Sequence, residues 1–142
     1  MKKVTLKEVA DEIETSAMSD SMRVYYDRET GEFRFYSEEE RRSYDDDEGD
    51  EWFEDERYIA LPDQFDVNEY EMMMKFSRSR EDPGTREKLL FAIDGKGAFR
   101  WFRRSIEELG IEEEWYAWRG ASYLEIAREW CDWHKIEYSV KR

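Results

Sequence analysis

Near the N-terminus the apolar positions recur at helical spacing, with Leu6, Val9, Ala10 and Ile13 falling on one face. Thr5 followed three residues later by Glu8 is a capping-box signature, so a helix is predicted from about residue 6 to 16. The period then changes. Residues 22–27 and 32–37 are rich in aromatic and β-branched side chains, and the polar run Asp27-Arg28-Glu29-Thr30-Gly31 lies between them. That pattern predicts a β-hairpin with one face packed on the domain. Arg57-Tyr58-Ile59-Ala60-Leu61, stopped by Pro62, reads as a third short strand beside it.

From residue 66 onward the pattern is helical. Residues 66–80 place Val67, Tyr70, Met73, Met74 and Ser77 on one side. Asp82-Pro83-Gly84-Thr85 is a break and a cap, and residues 86–94 carry Leu89, Leu90 and Ile93. Gly95-Lys96-Gly97 breaks the chain again before a helix at about 98–109, with Phe99, Phe102, Ile106 and Leu109 on one face and Gly110 at its end. Glu112 to Trp118 begins another helical stretch. Residues 121–135 then form the clearest amphipathic helix, whose apolar half holds Tyr123, Leu124, Ile126, Ala127, Trp130, Cys131 and Trp133. The fold class expected is α+β: an N-terminal helix, a small antiparallel hairpin or three-stranded sheet, and a helical C-terminal half. No internal repeat or Pro/Ser-rich linker divides the chain. We therefore read residues 1–142 as a single domain, with helix and hairpin at 1–37, an acidic mobile segment at 38–56, and a short strand plus helical bundle at 57–142.

Charge changes this picture in one place. Of a net charge of −14, residues 38–56 carry −10, while residues 1–37 and 57–142 carry −2 each. Like charges at that density repel and favour an extended, mobile chain. Trp52 and Phe53 interrupt the run, so part of it is expected to dock. Aromatic residues make up 16% of the chain, too many for a wholly disordered protein. No apolar run approaches the roughly 20 residues of a membrane span. No apolar region follows the basic start, so no secretory signal is expected. One cysteine, Cys131, makes neither a disulfide framework nor a cysteine-based zinc site, and a metal site would need several carboxylates beside the lone His134. The expectation is a cytoplasmic protein with no membrane partner, no cofactor and no metal.

The strongest candidate for chemistry is the segment around Gly95, Lys96, Gly97, Arg100, Trp101, Arg103 and Arg104. Residues 84–104 carry a local charge of +4 inside an acidic protein. A glycine-flanked lysine at a helix start, followed by arginines and a tryptophan, suits an anion, a protein partner, or the phosphates and bases of a single-stranded nucleic acid. The same residues also suit plain packing. Gly95 and Gly97 serve a tight helix–helix turn, and Glu107 and Glu108 stand four residues after Arg103 and Arg104, where ion pairs could absorb both. A Walker pattern is absent.

Glu112-Glu113-Glu114 could hold a metal or act as acid and base, but acidic residues in a first helical turn ordinarily answer the helix dipole. His134 and Cys131 fall on the apolar half of the last helix and read as core or rim residues; Met72-Met73-Met74 reads as core filling. No residue is assigned a catalytic role. Within the acidic segment, Asp45, Asp46, Asp47, Glu48, Asp50 and Glu51 are contact candidates for a basic partner. The alternatives are a solvated linker, or docking on the chain's own basic 96–104 surface.

The run Glu87-Lys88-Leu89-Leu90 with Gly95-Lys96-Gly97-Ala98-Phe99-Arg100-Trp101-Phe102, then Glu114-Trp115-Tyr116 and Ile126-Ala127-Arg128-Glu129-Trp130, resembles the bacterial uncharacterised protein family number 0158. The resemblance covers roughly residues 57–137, and the helix–hairpin start is similar in character. It implies a small bacterial cytoplasmic protein and brings no activity, cofactor or catalytic residue with it. The acidic insert at 38–56 looks unusual for the pattern. The reading reached from sequence is a non-enzymatic protein-interaction or regulatory module. Nucleic-acid binding through the Gly95–Arg104 segment is the alternative, and a carboxylate enzyme at Glu112–Glu114 is a third. The oligomeric state is left open.

Overall fold

Thr5 accepts a hydrogen bond from the Glu8 N–H at 3.1 Å, and the Glu8 carboxylate accepts one from the Thr5 N–H at 3.0 Å. This closed capping box starts α1, Leu6–Ala17, and buries Leu6, Val9, Ala10 and Ile13 as the periodicity predicts. The computed structural model describes residues 3–19, 21–37 and 52–140. By backbone contacts it divides into two compact units, one of residues 1–67 with 123–142 and one of residues 68–122.

In the first unit β1, Val4–Thr5, leads into α1, and β2, Met22–Asp27, turns back into β3, Phe33–Ser37. The turn between them uses Gly31 at φ +77°, a backbone that favours glycine. A single helical turn at Trp52–Glu54 precedes β4, Tyr58–Ala60, which lies antiparallel on the other side of β2. The sheet order is β3-β2-β4, so the expected third strand is present and β2 is central. The expected docking of Trp52 and Phe53 is also present. Phe53 stacks on Tyr25 at 5.7 Å and meets Tyr36 edge-on at 4.8 Å, while Trp52 meets Tyr58 edge-on at 4.8 Å. The Arg34 guanidinium lies 4.0 Å from the centre of the Trp52 ring. Both Ser37 and Trp52, which flank the acidic run, are thus fixed on one small sheet.

The second unit begins with α2, Glu69–Arg78, and continues through α3, Pro83–Ala92, and α4, Ala98–Leu109. Asn68 and Asp82 cap the first two by accepting from Glu71 and Thr85 N–H groups. Its core is aromatic: Phe76, Phe102 and Trp115 meet pairwise edge-on at 4.9–6.2 Å. Arg119 forks onto Glu69 through contacts of 3.1 and 2.8 Å, and the Tyr70 hydroxyl donates to the Ile93 carbonyl at 2.9 Å.

Helix α5 runs unbroken from Glu112 to Trp133. The sequence reads as two stretches there, 112–118 and 121–135, on either side of Gly120, a residue that weakens a helix interior. Gly120 nevertheless keeps ordinary helical backbone, and nothing lies within 4 Å of where its Cβ would stand. The first half of α5 belongs to the second unit and the second half, from Tyr123, to the first. There Trp130 donates its indole N–H to the Ala60 carbonyl at 3.2 Å and meets Tyr26 edge-on. Finally β5, Tyr138–Ser139, pairs in parallel with β1, Val4 opposite Tyr138, a pairing absent from the sequence reading.

Several predicted faces are rotated. In α4 the buried residues are Ala98, Phe102, Ser105 and Ile106, so Phe99 points outward. In α2 the buried set is Met72, Met73, Phe76 and Ser77, leaving Tyr70 exposed at its ring. In α5 Trp133 is exposed rather than buried.

Candidate functional site

The sequence candidates around Gly95 stand on the α3–α4 hairpin, where α3 packs against α4. Gly95 at φ +105° and Gly97 at φ +72° make the turn, and both backbones favour glycine. Gly97 is the residue before α4 and offers no side-chain cap. It has a second task. A Cβ at Gly97 would stand 3.2 Å from Trp101 Cδ1 and 3.3 Å from its Nε1, so the indole lies directly over the glycine backbone one turn earlier.

Trp101 is 47% exposed in that position, Phe99 58%, and Phe91, on α3, 83%. Lys96, Arg100, Arg103 and Arg104 are also exposed. The expected internal pairing is realised only in part. Glu108 accepts Lys88 at 3.1 Å and Arg104 at 3.8 Å, and the Arg104 guanidinium lies 5.7 Å from the Trp101 ring centre. Lys96, Arg100 and Arg103 form no ion pair with any of the described residues, and Glu107 does not take up Arg103. The hairpin therefore shows solvent three aromatic rings and three cations with no carboxylate partner among the described residues. Sequence reasoning did not single out Phe91 or Phe99 as surface residues. The available signal was their position outside the Leu89–Ile93 and Phe102–Ile106 stripes that do face inward.

The other candidates take structural places. Glu112, Glu113 and Glu114 are exposed in the first turn of α5, and Glu114 reaches Arg80 at 3.6 Å. No three His, Cys, Asp or Glu side chains among the described residues are grouped to hold a metal ion. Cys131 is free and buried, and burial followed by the neighbouring Asp132 charge pushes its thiol up to about 12. His134 is half-buried, with its ring 5.2 Å from that of Trp130. Burial, then the Arg28 charge, holds its imidazole below the ordinary value. Met72 and Met73 are buried core residues. The acidic candidates Asp45, Asp46, Asp47, Glu48, Asp50 and Glu51 lie outside the described residues.

No described helix is long and apolar enough to cross a membrane. No curated protein and no solved structure matches the chain. A family profile does, and it spans the acidic stretch as well as the region whose motifs carry the resemblance. Matching residues 2–142, essentially end to end, the chain belongs to the uncharacterised protein family UPF0158.

Proposed function

We propose that the protein is a non-enzymatic contact module, and that the outer face of α4 with the exposed Phe91 receives a partner protein whose rim is acidic. One observation carries this reading: Phe99 and Trp101 stand in solvent among Lys96, Arg100 and Arg103, cations that form no ion pair with any of the described residues. Aromatic residues and arginine are the side chains enriched at the centres of protein interfaces. Apolar rings supply the buried area, and the unpaired cations choose a partner of opposite charge. The 38–56 stretch carries a net −10 in the sequence, a charge suited to a basic region of a partner.

A second reading is a single-stranded nucleic acid on the same surface, favoured by the half-exposed Trp101 indole with the Arg104 guanidinium beside it. A net charge of −14 opposes a polyphosphate more strongly than it opposes a protein rim, so the protein partner is preferred. Affinity capture with the full chain, with and without nuclease, separates the two. Capture that survives nuclease and is lost in Phe99→Ala/Trp101→Ala and in Arg100→Ala/Arg103→Ala supports the protein partner. Nuclease-sensitive, steeply salt-dependent capture supports the nucleic acid, and capture unaffected by either double variant overturns both.

A further inference from the structure

A cavity of about 410 Å³ opens in the first unit, walled by Lys3, Tyr26, Arg28, His134, Lys135 and Ile136. Its place follows from the chain ends. Because Val4 pairs with Tyr138 in parallel, Lys3 and Glu137 enter the small β1–β5 pair side by side. Tyr26 comes from the central strand β2, and Arg28 from the turn just beyond it.

Three features set this cavity apart from an ordinary surface dimple. First, its charge is inverted: Lys3, Arg28 and Lys135 face one carboxylate, Glu137, in a protein of net charge −14. Second, none of those three cations forms an ion pair with a described residue, although acidic side chains are abundant. Third, Lys135 has φ +58° and is the only non-glycine residue with left-handed backbone among the described residues. It ends α5, where the Ile136 N–H returns to the Cys131 carbonyl at 2.8 Å, a helix end at which glycine is the usual occupant. A lysine held there against its backbone preference is the kind of local strain that accumulates at ligand sites.

We propose that this cavity binds a small organic phosphate, with Lys3, Arg28 and Lys135 holding the dianionic head and Tyr26 and Ile136 lying against its organic part. Three cations lining one cavity outnumber what a single carboxylate ligand would use, and a guanidinium fork matches phosphate oxygens two at a time. The volume is that of a metabolite-sized pocket rather than a lone ion. His134, whose imidazole burial and then the Arg28 charge hold below its ordinary value, shares the wall as a hydrogen-bonding group. This site shares no residue with the α4 surface and does not depend on it.

The test uses the full chain, with inorganic phosphate and phenyl phosphate as probes, followed by calorimetry and by the NMR signal of the single histidine. Phenyl phosphate should bind saturably and at least about tenfold more tightly than inorganic phosphate. On saturation the His134 imidazole, which also faces Arg28, Lys3, Lys135 and Glu137, should titrate at higher pH. Lys135→Gly and Arg28→Gln should each weaken phenyl phosphate by about tenfold or more. Lys135→Gly should at the same time keep or raise the melting temperature, since glycine accepts the backbone better. If Arg28→Gln does not fold, the Lys135→Gly result stands alone. Three results overturn the proposal: no saturable binding of phenyl phosphate at about 10 mM, equal binding of both probes, or unchanged affinity in Lys135→Gly.

Discussion

Arg57 grips Asp27 with two hydrogen bonds, Nε to Oδ1 at 3.0 Å and Nη2 to Oδ2 at 2.6 Å, across 30 residues of sequence. Asp27 closes β2 and Arg57 stands just before β4, so the pair bolts together the strands on either side of the acidic stretch. The same carboxylate accepts the Glu29 N–H at 2.9 Å and so also fixes the hairpin turn. Asp27→Asn keeps the shape but loses the charge-assisted pair, and should cost about 2 kcal/mol in urea denaturation.

The pair also sets an acid limit. The Arg57 hydrogen bonds, opposed by burial and aided by the Glu29 N–H, hold Asp27 at about 2 against an ordinary 3.8. A carboxylate depressed in the folded state binds fewer protons than in the unfolded chain. Its contribution is therefore complete above about pH 4 and falls away as pH drops toward 2. Denaturation midpoints across that window should fall more steeply for the wild type than for Asp27→Asn.

Continuity of α5 through Gly120 makes the next prediction. A glycine inside a helix with open space at its Cβ position loses chain entropy for no packing reason. Gly120→Ala should stabilise the protein by roughly 0.5–1 kcal/mol. Thermal unfolding followed by circular dichroism measures it, and destabilisation would mean that the helix breaks there.

Cys131 should be chemically silent until the protein opens. With its thiol at about 12 and no solvent exposure, almost no thiolate exists at neutral pH. Iodoacetamide labelling should track global unfolding in urea rather than proceed in the native state.

Much of the fold is legible in the sequence because its local signals agree. The Thr5–Glu8 box, the Asp27–Gly31 turn and the Pro62 stop each name a boundary that the structure keeps. What is not legible has two physical sources. The parallel β1–β5 pair is two residues per strand, too short for any period, and depends on bringing the chain ends together. In α4, aromatic residues occupy both faces, so hydrophobicity alone does not say whether Phe99 or Ser105 turns inward; the buried set is Ala98, Phe102, Ser105 and Ile106. The contact surface is half legible for the same reason. Its arginines show in the local charge, whereas the exposure of Phe91 and Phe99 follows from packing.

Gly97 ties that surface to the backbone. Gly97→Ala puts a Cβ against the Trp101 ring and forces an L-residue to φ +72°, so it should destabilise by about 1–2 kcal/mol. The Trp101 indole N–H resonance should shift in an NMR spectrum while that of Trp130 stays in place.

The central claim is that the outer face of α4 meets an acidic partner protein, and a photo-crosslinker replacing Phe99 in the full chain, with one replacing the exposed Lys7 as control, asks this directly. We expect crosslinks from position 99, absent from position 7, to a protein segment rich in aspartate and glutamate, and their loss when Arg100 and Arg103 are alanine. Crosslinks from position 99 only to nucleic acid, only to the chain's own residues 38–51, or to nothing beyond what position 7 captures would contradict it.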